Sequence, residues 1–228
     1  MSCLAARRLK IQVNEKAGDI SALLLRPDTA RCLLVLAHGA GAGMTHKFME
    51  EISQKLARHG IATLRYQFPY MEKGSKRPDS EALLTETVRA AVSASKKHAG
   101  ELPLFAGGKS MGGRMTSLAV ARAPLDSVRG LVFFGFPLHA PGKASAARAE
   151  HLTRVAVPML FLQGSRDSLA DLKLLKPLCS RLGKRAELFV IEGGDHSFHM
   201  LKSSGRSDEE ALNEAADKTA AWISRVSE

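Results

Sequence analysis

Ser110 stands inside Gly108-Lys109-Ser110-Met111-Gly112, a Gly-x-Ser-x-Gly pattern. An apolar run leads into it and a helix-spaced run leads out, the context in which a serine sits on a sharp strand-to-helix turn with its hydroxyl exposed. Glycines two residues to either side let neighbouring backbones pass without a Cβ clash, and the N-terminus of the following helix faces negative charge that develops there. A serine hydroxyl is a weak nucleophile until a base takes its proton, and that base needs an acid to orient it. Two later residues supply the pair. Asp167 follows the apolar run 159–162 through Gln163-Gly164-Ser165-Arg166, and His196 follows the run 187–191 through Gly193-Gly194-Asp195. Residues just past the carboxyl ends of parallel strands share one rim of the sheet, so these distant positions can meet Ser110. The chemistry of such a trio is acyl transfer, with Ser110 as nucleophile, His196 as general base and then acid, and Asp167 fixing the imidazole tautomer.

The acid position has competitors. Asp167 could instead cap the helix that begins near Asp171, leaving Asp171 to orient the base. Asp195 competes more weakly, since the neighbour of a base usually points elsewhere. His38 reads as a brace for its loop. Tyr70, Met71, Phe136, His139 and Phe198 fall on loops of the same rim and either line an acyl pocket or simply pack. Lys109 and Arg114 suit anion recognition or pairing with an acid, and neither receives a role.

Two nucleotide-binding patterns fail on spacing. A phosphate-binding P-loop ending at Gly108-Lys109-Ser110 needs a glycine where the chain has Pro103. A dinucleotide fingerprint starting at Gly39 and Gly41 needs a third glycine at Met44 and an acid after the next strand, where Arg65 and Tyr66 stand.

The elements that must position these residues alternate between short β-branched or leucine-rich runs and longer helix-spaced segments, the signature of an α/β sheet with mostly parallel strands and helices on both faces. Runs 10–13 and 20–26 are joined by too few residues for a crossover helix and form an antiparallel opening hairpin. Strands are expected at 32–37, 61–66, 102–106, 128–134, 159–162 and 187–191, with residues 107–113 as the sharp turn that carries Ser110. Helices are expected after Thr45, with Phe48, Ile52 and Leu56 inward, over 79–98, around Met115, Leu118 and Ala119, over 171–182, and through the stripe Leu212, Ala216, Thr219, Ile223 and Val226. Pro177 bends the fourth of these or marks its true start. Residues 135–157 are too few for a separate lid domain, so the site is expected to be open and the whole chain, 1–228, to form one domain.

Composition narrows the classes further. With 228 residues, 45% hydrophobic and 25% charged, the chain can bury one core without disulfide or metal staples. Its 33 Lys and Arg against 23 Asp and Glu give +10, yet the basic residues are dispersed with little aromatic interleaving, which argues against a nucleic-acid partner. Cys3, Cys32 and Cys179 are odd in number and widely spaced, against both a disulfide framework and a zinc site, and fit a reducing compartment. Arg7 and Arg8 interrupt the N-terminus before a signal-peptide core can form, and no run approaches the ~18 apolar residues of a membrane span. The expectation is a cytoplasmic protein with no membrane, metal or cofactor requirement and an undetermined oligomeric state.

His-Gly-Ala-Gly-Ala-Gly at 38–43, Gly-Lys-Ser-Met-Gly-Gly-Arg at 108–114, Phe68-Pro69-Tyr70 and Gly194-Asp195-His196-Ser197-Phe198 together resemble the small lidless branch of the dienelactone-hydrolase-like α/β-hydrolases, over nearly the whole chain. The resemblance implies the α/β-hydrolase fold with its order of serine, acid and histidine. It also implies an oxyanion hole built from the Met111 amide and a second amide in the loop after an earlier strand, with Ala40 favoured and Gly41 next. A small carboxylic ester or thioester is the implied substrate and partner. Dienelactone hydrolase itself uses a cysteine nucleophile, so its substrate does not transfer to a chain with Ser110. Scaffold-like relatives in the branch supply the alternative, a weakly active or inactive hydrolase fold used for protein interaction.

Overall fold

The computed structural model describes residues 4–227. Cys3 and the first residues read above for a leader lie outside them. An eight-stranded sheet runs through the molecule in the order β1-β2-β4-β3-β5-β6-β7-β8. Strands β1 (Arg7–Asn14) and β2 (Gly18–Leu25) form the antiparallel hairpin, and β2 also runs antiparallel to β4 (Ile61–Tyr66). All other pairings are parallel, through β3 (Cys32–Ala37), β5 (Leu104–Lys109), β6 (Val128–Phe134), β7 (Met159–Gly164) and β8 (Ala186–Ile191).

Strands β3, β4, β5 and β7 are buried along their whole length, as the continuous apolar runs of a sheet covered on both faces require. Side-chain alternation divides the core. Leu33, Val35 and Ala37 face helices α3 (Glu81–Ala99), α4 (Met111–Arg122) and α5 (Leu172–Leu182), whereas Cys32, Leu34 and Leu36 face α1 (Lys47–Arg58) and α6 (Asp208–Ser227). Among the described residues no helix is long and apolar enough to cross a membrane. Cys32 and Cys179 are free and buried, and burial pushes their thiols up to about 12 and about 11.

The register aligns the carboxyl ends of the parallel strands. Ala37 pairs with Tyr66 and Gly108, Lys109 with Phe134, and Gly164 with Ile191, so the loops that follow open onto one rim.

Several boundaries differ from the sequence reading. Strand β5 continues through Gly107 and Gly108 to Lys109, and the turn shrinks to Ser110 alone. Close packing requires these glycines rather than turn geometry. A Cβ on Gly107 would lie 1.9 Å from the Val132 carbonyl oxygen, and one on Gly108 2.4 Å from that of Ala37. His46, not Thr45, caps α1, its Nδ1 accepting from the Phe48 amide at 3.2 Å. A short helix α2 (Pro69–Glu72), unforeseen in the sequence, starts with a proline preset for a first helical turn. Pro177 lies within α5 rather than at its start, because Asp171 caps the helix one turn and a half earlier. The connection from β6 to β7 contains one 3-10 helix, Ala147–Arg154, and no separate lid.

Candidate active site

Ser110 joins β5 to α4 with φ 51° and ψ −119°, a left-handed conformation that a residue with a Cβ adopts at a cost of about 1–3 kcal/mol. Two backbone bonds pin it there: its amide donates to the Phe134 carbonyl at 3.1 Å, and its carbonyl accepts from the Arg114 amide at 3.1 Å. Gly112 lets the helix come this close, since a Cβ there would stand 2.5 Å from the Ala37 oxygen. The hydroxyl makes no cap bond to its own helix and is therefore turned outward.

That hydroxyl meets His196. Ser110 Oγ and His196 Nε2 are 2.8 Å apart, and His196 Nδ1 is 2.7 Å from Asp167 Oδ2. An ionised carboxylate only accepts, so the Nδ1–H donates to Asp167 and Nε2 is left to accept from the serine. Asp167 has a fully buried side chain. Three donors compensate that burial: the imidazole, the Leu169 amide on Oδ1 at 2.7 Å, and the Gln163 side-chain amide on Oδ2. The rival acids are occupied elsewhere. Asp171 Oδ1 accepts from the Lys173 amide at 2.8 Å as the cap of α5, and Asp195 Oδ1 accepts from the Ser197 and His199 amides at 2.7 and 2.9 Å.

The loop after β3 lies against this trio, a Cβ on Gly39 being 3.7 Å from that of Ser110. His38 Nε2 accepts from the Phe68 amide at 3.1 Å, and its Nδ1–H donates to the Gly39 carbonyl at 2.7 Å. Burial drives its pKa down to about 4, so the ring stays neutral and braces the loop. The Gly41 amide is taken, donating to Tyr70 Oη at 3.0 Å. Among the described residues the Ala40 and Met111 amides have no partner, and Ala40 lies exposed at the loop's crest.

Residues 30–224 match the family described as alpha/beta hydrolase domain. The chain belongs to that family. Solved structures share the fold over almost the full length of both chains. A dienelactone hydrolase from Anabaena variabilis superimposes with a TM-score of 0.76 at 19% identity, over 98% of this chain and 99% of that one. An alpha-beta serine hydrolase homologue from Coxiella burnetii gives 0.74 at 20% identity, over 96% and 99%. A serine hydrolase without lid from Xanthomonas campestris gives 0.69 at 18%, over 94% of each.

Within this α/β-hydrolase fold the rim residues divide. Gly41 is exposed, and Met71 is half-buried with its methyl 3.4 Å from where a Cβ on Gly43 would stand. Tyr70 does not line an opening: it is buried, and its hydroxyl holds the Gly41 amide. Phe136 has no exposed surface and packs on Phe133 and Phe161, while Phe198 is equally buried against Phe48. His139 accepts from the Asp171 amide at 2.9 Å and bonds the Ala140 carbonyl. Of the two alternatives left open for these rim residues, Tyr70, Phe136, His139 and Phe198 take packing, because loops carrying large rings gain more by folding them inward than by presenting them to water.

Two residues without an assigned role in the sequence touch the trio. Gln163, buried at the end of β7, donates to Asp167 and accepts from the Phe136 amide at 2.9 Å. Lys109 is buried between the rings of Phe48 and Phe198, its Nζ 5.4 and 5.8 Å from their centroids, and donates to the His196 carbonyl. Burial lowers its pKa to about 8, opposed by Asp167 and Asp195. The sequence signal for Gln163 is a polar side chain closing an otherwise apolar strand.

Proposed function

We propose that this protein is a serine hydrolase of small carboxylic esters or thioesters, acting through an acyl-enzyme on Ser110. The carrying observation is the continuous hydrogen-bond chain from Ser110 Oγ through the His196 imidazole to Asp167. Ser110 Oγ attacks the substrate carbonyl while His196 Nε2 takes its proton, and the negative oxygen that forms accepts from the Ala40 and Met111 amides. His196 then gives the proton to the departing alcohol or thiol, leaving the acyl group on Ser110. Water, deprotonated by the same nitrogen, attacks that acyl group and releases the acid and the free serine. Asp167 holds the tautomer and offsets the imidazolium charge. Membership of the alpha/beta hydrolase family and the hydrolase descriptions of its structural relatives support this reading.

A fluorophosphonate probe followed by intact and peptide mass spectrometry tests it without the substrate. The expected result is one adduct on Ser110, absent in Ser110→Ala and His196→Ala, followed by turnover in an ester and thioester panel. No adduct on folded protein would overturn the mechanism and favour the interaction module.

A further inference from the structure

Beyond the serine site, the feature with the least explained charge is Arg65. It lies in β4 with its side chain only 4% exposed, so the guanidinium gives up most of its hydration. Its bonding is thin for a buried cation. Nη1 donates to the Met44 carbonyl at 3.1 Å, the Glu50 carboxylate stands 3.9 Å away, and Nε is buried with no partner among the described residues. A guanidinium presents five donors, and leaving them unmet in a low-dielectric setting is costly. Burial accordingly lowers the Arg65 pKa, with Glu50 opposing.

Arg65 also opens onto a space. A groove of about 660 Å³ runs over the hairpin beside α1, with Arg65, Leu23, Met44, Arg8 and Glu50 among its walls. Register places three of these in one cross-strand row, Arg8 opposite Leu23 and Leu23 opposite Arg65, so they share a face of the sheet. Of the other cations there, Lys10 pairs with Glu72 at 3.0 Å, whereas Arg8 is exposed without an ion pair among the described residues. The groove is therefore lined by a buried, under-bonded cation, by Leu23 and Met44 as apolar walls, and by a second, exposed cation.

We infer that this groove is a binding site for a carboxylate bearing a short apolar chain, its head group on Arg65 and its chain along Leu23 and Met44. A carboxylate matches the fork of a guanidinium and supplies the acceptors that Arg65 lacks. Glu50 competes as a distant, mostly solvated stand-in, so an entering anion displaces little. Arg65 is then a binding group that costs the empty fold stability, and its replacement by an apolar residue relieves that cost. A purely structural arginine has the opposite signature, since removing it would leave the fold weaker.

Hexanoate, acetate and inorganic phosphate, each titrated by calorimetry into the intact protein at low salt, test this together with urea unfolding of Arg65→Leu. The expected results are saturable hexanoate binding at least tenfold tighter than acetate, about what two buried methylenes contribute, loss of that binding in Arg65→Leu, and an unfolding midpoint in Arg65→Leu equal to or above wild type. Glu50→Gln removes the competing acid and tightens hexanoate several-fold, which keeps the proposal testable whatever the behaviour of Arg65→Leu. No saturable binding, binding that survives in Arg65→Leu, or a destabilised Arg65→Leu would overturn it. Phosphate binding tighter than hexanoate would overturn the assignment of the head group.

Discussion

The residue that precedes the serine holds the residue that activates it: the Lys109 ammonium donates to the main-chain carbonyl of His196. The two positions are 87 residues apart, and Gly135 keeps space for the bond, since a Cβ there would stand 2.8 Å from Lys109 Nζ. Lys109→Met keeps the length of the side chain but removes the donor, freeing the His196 loop to drift. A displacement near 1 Å at a reacting group costs on the order of 10²-fold. The expected outcome is a fall in kcat of about 10- to 100-fold with a smaller change in KM, read from steady-state ester hydrolysis. Wild-type kcat in Lys109→Met would count against the positioning role.

The same buried lysine makes stability depend on alkaline pH. Its folded pKa, about 8, lies below the ordinary 10.5, so between these values the unfolded chain binds a proton that the folded chain does not. Stability from this group therefore rises as pH increases through that window, by an amount on the order of 3 kcal/mol in total. Urea midpoints of wild type and Lys109→Met at pH 7 and pH 10 isolate it. Wild type should gain on the variant as pH rises, and a difference that stays flat would show the charge is not held at that cost.

The same linkage acts at acid pH through two histidines. Burial lowers both His38 and His151 to about 4 from 6.5, with Arg114 adding to the shift at His151. Each contributes stability that is present above pH 6.5 and lost as pH falls through 4, on the order of 3 kcal/mol apiece. His151 Nε2 bonds Ser117 Oγ at 2.7 Å, a contact that a glutamine amide can replace. His151→Gln should thus lose less stability than wild type between pH 6.5 and pH 4, as read by denaturant unfolding. Parallel pH profiles would place the acid sensitivity elsewhere.

Much of this arrangement was legible in the chain because Ser110, Asp167 and His196 each follow an apolar run that reads as a strand, and parallel strands bring their carboxyl ends to one edge. The hairpin was legible from a connection too short for a helix. What the sequence concealed depended on direction and close approach. Gly107 and Gly108 look like turn residues but are strand residues pressed between the backbones of β3 and β6. Phe136 and Phe198 look like rim residues but point inward, and nothing in a linear pattern says which way a loop aromatic turns. Lys109 and Gln163 gain their roles only from partners brought by folding. Arg65 reads as one basic residue among many until its burial is seen.

The choice between two aspartates four residues apart shows the difference most sharply. Both accept a backbone amide two residues on, Asp167 from Leu169 and Asp171 from Lys173, so each looks like a local cap. Only Asp167 has its second oxygen on the His196 imidazole. Asp167→Asn preserves size and the Leu169 bond, but the amide can present an N–H to Nδ1 and stabilise the wrong tautomer, leaving no acceptor at Nε2 for the serine proton. The expected loss is about 10³- to 10⁴-fold in kcat, with little change in unfolding midpoint. Asp171→Ala should do the reverse: it removes the cap of α5 and lowers stability by roughly 1 kcal/mol, while kcat for a short ester stays within a few-fold of wild type. Equal kinetic losses in the two variants would mean that His196 is not oriented by Asp167, and the acyl-transfer mechanism would need a different acid.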